Sequence, residues 1–424
     1  AIPAPLLERL LERFPRIVFS TTVHGYEGTG RGFTVRFARV LDRRTPGWQQ
    51  LTLRTPVRWD AGDPLEALVF RALLLDAEPA PDEVFAGALA HAQVERLDRD
   101  LLADDEALLR EVFGLLVLAH YRTSPLDLRQ LLDGPNLSVF ALRVGGHVAG
   151  VALVVDEGGF PAELAHAVWA GQRRVRGHLL AQSLAQHAGI EHAPRLRGRR
   201  IVRIAVHPAV QGRGLGRRLV AAVVEAAQGA DYVGSSFGAT PALLHFWVRC
   251  GFRCVRIGLV RDAASGVPSA MVMRAVSPAG AALLEEARRR FADALPHLLA
   301  DPLRDLDPAV AAALLADAGP APDMHGLSSD DWSELEAFAR GARDLAYVLA
   351  PLHRLTALVF ANPGARAALT PKAREALVLK VVEGRSVSET AERLDLAGRR
   401  AVTDVLREAV QALIPVVGSG ASDW

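Results

Sequence analysis

Ile204-Ala205-Val206-His207-Pro208-Ala209-Val210-Gln211-Gly212-Arg213-Gly214-Leu215-Gly216-Arg217-Arg218 is the stretch on which the fold of this chain turns. Its first residues extend Arg200-Ile201-Val202-Arg203, a β-branched run that predicts a buried strand. A Gln-x-x-Gly-x-Gly turn follows, and then a helix whose apolar positions Leu215, Leu219 and Val223 repeat every four residues. The first turn of a helix carries unpaired N–H groups and the positive end of the macrodipole, so it can hold a pyrophosphate where the backbone comes close. Gly214 and Gly216 permit that approach, since a larger side chain would stand in the ligand's way. Arg213, Arg217 and Arg218 add positive charge around the same point. A lone Gly-x-Gly says little; here strand, glutamine, helix period and a downstream strand agree.

Downstream, Asp231 to Phe237 predicts the next strand, and Pro241 opens a helix that stops near Gly251. Upstream, Leu137–Val144 and His147–Val155 pair as a hairpin around Gly145-Gly146, a two-residue turn that favours positive φ. Helices are expected over Asp104 to Tyr121 and Pro125 to Leu132, with a helical insertion from roughly Pro161 to His187. These elements form one part of the chain, 93–278. Residues 1–92 read as mixed α/β. Strands are expected over Ile17 to Val23 and through Phe33, Val35 and Phe37, with the glycine-rich loop His24 to Gly32 between them and helices from Pro64 to Asp76 and from Asp82. Such a loop can present N–H groups to phosphate or simply connect two strands. Beyond Ser277 the pattern is almost wholly helical, and Leu369 to Leu413 has the spacing of a helix-turn-helix, which a plain three-helix bundle shares. Residues 418–424 read as a loose tail.

The 424 residues suggest two to four domains, at roughly 100–200 residues each. Half are hydrophobic, yet no apolar run approaches the length of a membrane span, and Val148 to Val155, as long as any, is strand-length and contains glycine, which excludes a helical membrane span and wholesale disorder. The net charge of +1 conceals an asymmetry, because Arg195 to Arg218 contains eight arginines and no acid. The plain reading of the excess of arginine over lysine is a GC-rich genome choosing arginine codons; whatever the cause, arginine's planar fork suits bidentate phosphate contacts. The two lysines, Lys372 and Lys380, are followed by Ala373 and Val381, so neither belongs to a P-loop. Cys250 and Cys254 fit neither a zinc spacing nor a disulfide framework, and a reducing cytoplasm is the expected location. No signal peptide pattern is seen, and a chain starting at Ala1 is expected to have lost its methionine or to be a piece of something longer.

The strand, turn and helix around Gly214 resemble the acetyl-CoA pyrophosphate site of the GNAT acetyltransferase fold, and the order of elements resembles that topology. Leu243-Leu244-His245-Phe246-Trp247-Val248-Arg249-Cys250-Gly251-Phe252 resembles the helix and Gly-Phe ending of the same fold. Three further stretches carry a narrower resemblance: Ser20 to Phe33, Arg176-Gly177-His178-Leu179-Leu180-Ala181-Gln182-Ser183-Leu184, and Gly234-Ser235-Ser236-Phe237-Gly238-Ala239-Thr240. Together they resemble the bacterial tRNA(Met) cytidine acetyltransferase family over nearly the whole chain.

That resemblance implies an α/β fold class in three parts. Residues 1–92 would be the C-terminal part of a RecA-like helicase/ATPase module lacking Walker A and B, 93–278 a GNAT N-acetyltransferase domain with a mixed sheet, and 279–424 an all-α tRNA-binding tail. It implies acetylation of N4 of the wobble cytidine of elongator tRNA(Met), with acetyl-CoA as donor, the tRNA anticodon stem-loop as partner and no membrane. ATP or GTP serves the full-length family. Ala1-Ile2-Pro3 looks like the end of its acidic Walker B box, so the P-loop and Mg-binding acids would lie upstream, no metal site is expected here, and the chain reads as a fragment or a naturally shortened relative. By the same resemblance Ile204, Ala205 and Val206 would pair with the pantetheine arm. Gln211, Gly212, Arg213, Gly214, Leu215, Gly216 and Arg217 would hold the pyrophosphate, Arg249 would also touch acetyl-CoA, and Arg31 would be the family's ATP-contacting arginine.

The implied reaction is direct attack by an exocyclic amine on a thioester carbonyl, with the oxyanion held by a backbone N–H near Val206. Cytosine N4 is a poor nucleophile because its lone pair is delocalised into the ring, so orientation and proton removal should dominate. Many GNAT enzymes carry a tyrosine in the last helix to protonate the leaving thiolate; the matching position here is Trp247, which has no acidic hydrogen of use. His207, His245 and His178 are then the titratable catalytic candidates, set against the commoner role of histidine as a surface or structural residue. Two other readings compete. A GNAT enzyme acting on a protein or small-molecule amine would not need the arginine run, the helical tail or the partial ATPase lobe. A non-catalytic tRNA-binding remnant would have lost nucleotide hydrolysis and acetyl transfer, and the intact turn argues only against complete loss of CoA binding.

Overall fold

The computed structural model describes residues 4–14, 16–20, 37–53, 55–87, 91–119, 125–262, 265–320 and 326–417. The glycine-rich loop, Arg31 and the tail 418–424 lie outside them. The main elements, in chain order, begin with β1 (Gln93–Leu97), α1 (Glu106–Ala119), β2 (Leu137–Val144) and β3 (His147–Gly158). The insertion supplies α2 (Ala162–Trp169) and α3 (Leu179–Gln186), followed by β4 (Arg197–Val206), α4 (Leu215–Glu225), β5 (Tyr232–Gly238), α5 (Pro241–Arg249), β6 (Arg253–Arg261) and β7 (Pro268–Ala275). The C-terminal helices include α6 (Pro278–Ala300), α7 (Pro308–Ala318), α8 (Ser329–Ala339), α9 (Leu349–Ala361), α10 (Pro371–Leu377), α11 (Val387–Arg393) and α12 (Arg399–Val417). No helix among the described residues is long and apolar enough to cross a membrane.

The chain packs as two compact units, one of Ala1–Asp156, Arg199–Gln228 and Val260–Pro268, the other of Glu157–Gly198, Gly229–Leu259 and Ser269–Trp424. In the first, the strand order is β1-β2-β3-β4. β2 and β3 are antiparallel from Leu137 opposite Val155 to Val144 opposite His147. Their turn works because Gly145 and Gly146 take φ of 58° and 89°, a region that L side chains rarely adopt. β1 adds to the outer edge of β2, with Gln93 opposite Arg143 and Leu97 opposite Val139. Behind this sheet α1 buries Val112, Phe113 and Leu116 against Val139, Val148 and Val151.

The strand expected over Ile17 to Val23 is not formed in its described part, Ile17–Ser20, where Val18 is 93% exposed and no strand covers it. An apolar run makes a strand only where a sheet edge takes its backbone groups.

In the second unit the strand order is β5-β7-β6, with β5 and β7 antiparallel from Tyr232 opposite Ala275 to Gly238 opposite Ser269. Leu180, Leu184, Tyr232, Val255, Met273 and Leu283 form a core joining α3, this sheet and α6. The region read as a helix-turn-helix has the expected elements, with Ser386 and Glu389 forming a capping box at the start of α11. α10 continues through a π-helical segment, Val378–Val382, that buries Lys380 beside Asp301. Cys250 and Cys254 are buried thiols outside any disulfide, and burial pushes the Cys254 thiol up to about 12, which leaves it unreactive.

Candidate active site

The decisive stretch folds as its sequence directs. β4 ends at Val206, a short 3-10 turn follows at Pro208–Val210, and α4 starts at Leu215. The apolar stripe Leu215, Leu219, Val220 and Val223 faces inward, so the opposite side of the helix start is free for a ligand. Gly212 and Gly214 adopt φ of 76° and 83°. A Cβ on Gly214 would meet no protein atom within 4 Å, so the backbone angle, not crowding by the protein, demands glycine there. No side chain caps α4, and Gln211, Gly212, Arg213, Gly214, Arg217 and Arg218 are exposed around its N-terminus. An uncapped helix start under positive-φ glycines and ringed by guanidinium groups suits a pyrophosphate: the N–H groups, the dipole and the arginines all favour an anion.

Gln211 has a second task. Its Nε2 donates to the Val206 carbonyl at 2.9 Å, folding the turn back onto the end of β4. The chain at this point is also held by the His207 N–H, which donates to Ala149 of β3 at 2.9 Å. Ile204 and Val206 are half-buried and Ala205 is buried.

The three candidate histidines have different surroundings. His207 is 1% exposed. Its Nε2 lies 2.8 Å from the Ala80 carbonyl and must donate to it; its Nδ1 then accepts the Ala209 N–H at 3.3 Å. Both ring nitrogens thus hold backbone, and the ring packs 4.6 Å from that of Phe85. His178, at φ 49°, starts α3; its Nδ1 accepts the Gly158 N–H at 2.9 Å, and Phe160 meets its ring edge-on at 4.8 Å. His245 is exposed on α5, as is Arg249 in the last turn of that helix. Trp247 is a core residue, 2% exposed and set among Phe237, Phe246 and Phe252.

Ile204, Ala205, Val206, His207 and the turn 211–217 therefore lie together in the first unit; His178, His245 and Arg249 belong to the second, and Arg31 lies outside the described residues. Among the arginines before the turn, Arg199 is engaged with Asp156 at 3.2 Å and with the Ala226 carbonyl, while Arg195 and Arg197 are exposed. One functional element escaped the sequence reading. Glu157, 4% exposed, caps α3 by accepting the N–H groups of Leu179 and Leu180 at 3.0 and 2.8 Å. No short-range signal announces it, because the acid stands more than twenty positions before the helix it caps.

The strand, glycine turn and helix define a GNAT-type acetyltransferase domain, and the GNAT acetyltransferase 2 family matches residues 111–230 and 222–277. Residues 1–76 match the helicase domain of RNA cytidine acetyltransferase NAT10/TcmA, and residues 280–417 match a tRNA-binding domain. Along nearly its whole length the chain is similar to tRNA(Met) cytidine acetyltransferases. It is 53% identical to the tRNA(Met) cytidine acetyltransferase of Nitrosococcus halophilus over 99% of this chain and 57% of that protein. With the Salmonella typhimurium enzyme of the same name it shares 42% identity over 98% of this chain and 57% of the relative, and with that of Haloarcula marismortui 40% over 99% and 54%. The chain thus spans a little over half the length of these curated relatives.

Proposed function

We propose that this chain transfers an acetyl group from acetyl-CoA to N4 of the wobble cytidine of elongator tRNA(Met), in the cytoplasm. The observation that carries the reading is the turn 211–217, with its two positive-φ glycines, uncapped helix start and exposed arginines. Gln211 to Arg217 would hold the pyrophosphate, and Ile204, Ala205 and Val206 would pair with the pantetheine arm, the Val206 carbonyl already accepting the Gln211 amide. Arg249 would touch the same ligand. Acetyl-CoA supplies the activated acetyl group. The protein's part is to orient the amine and to offer a backbone N–H near Val206 to the developing oxyanion.

The matches at both ends of the chain support an RNA acceptor over a protein or small-molecule amine. The parts 1–92, 93–278 and 279–424 are proposed as the modules of this activity: the end of a helicase module, the transferase and the tRNA-binding tail. ATP or GTP is proposed to serve the helicase module, with Arg31 as the residue of this chain that would meet it. Among the histidines, His207 and His178 are proposed to act by fixing backbone around the site, and exposed His245 to be the one free to exchange a proton.

Replacing Gly214 with Glu tests the cofactor assignment. It strains the turn and puts a carboxylate at an anion site, so calorimetry should show acetyl-CoA affinity falling at least tenfold, about 1.4 kcal/mol. Unchanged affinity would defeat the assignment.

A further inference from the structure

The second unit contains a cleft of about 710 Å³ whose lining includes none of the residues assigned to acetyl-CoA. Arg174, Arg176 and Arg256 line it with Ser183, Ser236 and Ser269, and no carboxylate is among its described lining residues. Such a lining attracts an anion with several oxygen acceptors.

The arginine-bearing loop is fastened before any ligand arrives. Gln182 Oε1 accepts the Val175 N–H at 2.9 Å, and Nε2 donates to the carbonyls of Val175 and Gly177 at 2.8 and 2.7 Å. Val175 packs against the cluster of Phe160, Val168 and Trp169, while its neighbours Arg174 and Arg176 are exposed. α3, which carries Gln182, is itself anchored by the Glu157 cap. Arg256 is held from another side: Nη2 donates to the Tyr347 hydroxyl at 3.2 Å, and its Nε is buried with no hydrogen-bond partner. A buried guanidinium N–H without an acceptor from the protein is costly and calls for a partner that these side chains do not supply. His187 also lines the cleft. Burial, then the charges of Arg256, Arg343 and Arg174, push its pKa down to about 3, so at neutral pH it is an uncharged ring, 4.6 Å from that of Tyr347.

We propose that this cleft receives the RNA strand carrying the target cytidine, with Arg174, Arg176 and Arg256 on its phosphodiester oxygens and the serine hydroxyls toward ribose or base. The proposal rests on the tRNA reading above. A guanidinium fork takes phosphate oxygens in pairs, and contacts of this kind set the position of a nucleic acid without choosing its sequence. Neutral hydroxyls and an uncharged aromatic ring suit the sugar and base of an unstacked nucleotide. Coenzyme A also carries phosphate groups, so both sources must be measured.

The test compares the full 424-residue chain with the double variant Arg174→Ala/Arg176→Ala. Both arginines are exposed, and their loss leaves the Gln182 and Glu157 anchors in place. Binding of an elongator tRNA(Met) transcript is followed by fluorescence anisotropy across a salt series, and acetyl-CoA binding by calorimetry. The proposal predicts tRNA binding about tenfold weaker, a salt slope smaller by about 1.4 for two lost single-strand phosphate contacts, and unchanged acetyl-CoA affinity. If the parent binds tRNA and the variant matches it in affinity and slope, the cleft assignment fails and the tRNA reading survives. Weakened acetyl-CoA binding with unchanged tRNA binding would give the arginines to coenzyme A and overturn the proposal. A parent chain that binds no tRNA overturns the tRNA reading and the cleft assignment with it.

Discussion

Single residues in this protein often serve backbone before chemistry. Gln211, His207, His178, Gln182 and Glu157 all spend their polar atoms on main-chain groups at strand ends and helix starts. These are the places where regular structure leaves donors and acceptors unpaired. Two half-buried histidines, His187 and His353, add a pH dependence of stability. Burial, then His297, Lys380 and Arg354, lower the pKa of His353 to about 4, and His187 is lowered to about 3. An unfolded histidine titrates near 6.5, so between that value and the folded pKa the unfolded chain binds more protons. Stability is therefore full above about pH 6.5 and declines as pH falls toward about 4, by at most about 1.4 kcal/mol per pH unit for each group. His353→Phe keeps a ring beside His297, which lies 4.4 Å away, and should shrink the drop in thermal midpoint between pH 7 and pH 5. An equal drop in variant and parent would contradict the assignment.

Elements were legible in the sequence where their signal is local. The β2–β3 hairpin follows from Gly145-Gly146 between two alternating runs, and α4 from its four-residue period behind a glycine turn. β1 was not read, because Gln93-Val94-Glu95-Arg96-Leu97 has no fully buried position and gains strand geometry only from pairing with β2. The Glu157 cap and the arginine cleft were hidden for the same reason: they join residues far apart in sequence. Arg343 shows the energetic side of such long-range contacts. It is 3% exposed, pairs with buried Glu334 at 2.8 Å, donates to the Trp169 carbonyl and lies 4.4 Å above the Trp169 ring. It thereby fastens α2 to α8. Arg343→Ala leaves Glu334 buried without this partner and should cost about 3–5 kcal/mol. Denaturant unfolding should show a lower midpoint, with Arg343→Ala/Glu334→Leu recovering part of the loss. A single variant within about 0.5 kcal/mol of the parent would mean that this contact does not hold the elements together.

At the scale of the whole molecule, the two compact units interleave along the chain, whereas the three proposed modules follow one another in sequence. The separate apolar clusters behind β2–β3, between α3 and α6, and among the C-terminal helices were foreseeable as cores, but which segments share a unit was not. Periodicity reports which face of an element is buried and leaves open what buries it. The proposed acetylation of tRNA is tested most directly by product analysis. The chain is incubated with labelled acetyl-CoA and elongator tRNA(Met), and in parallel with protein and small-molecule amines; the tRNA is then digested and its nucleosides are separated by mass. The account predicts N4-acetylcytidine from the wobble position, absent when Gly214→Glu replaces the parent. Acetyl transfer to a protein or small-molecule amine, with no acetylated cytidine in the tRNA, would contradict it.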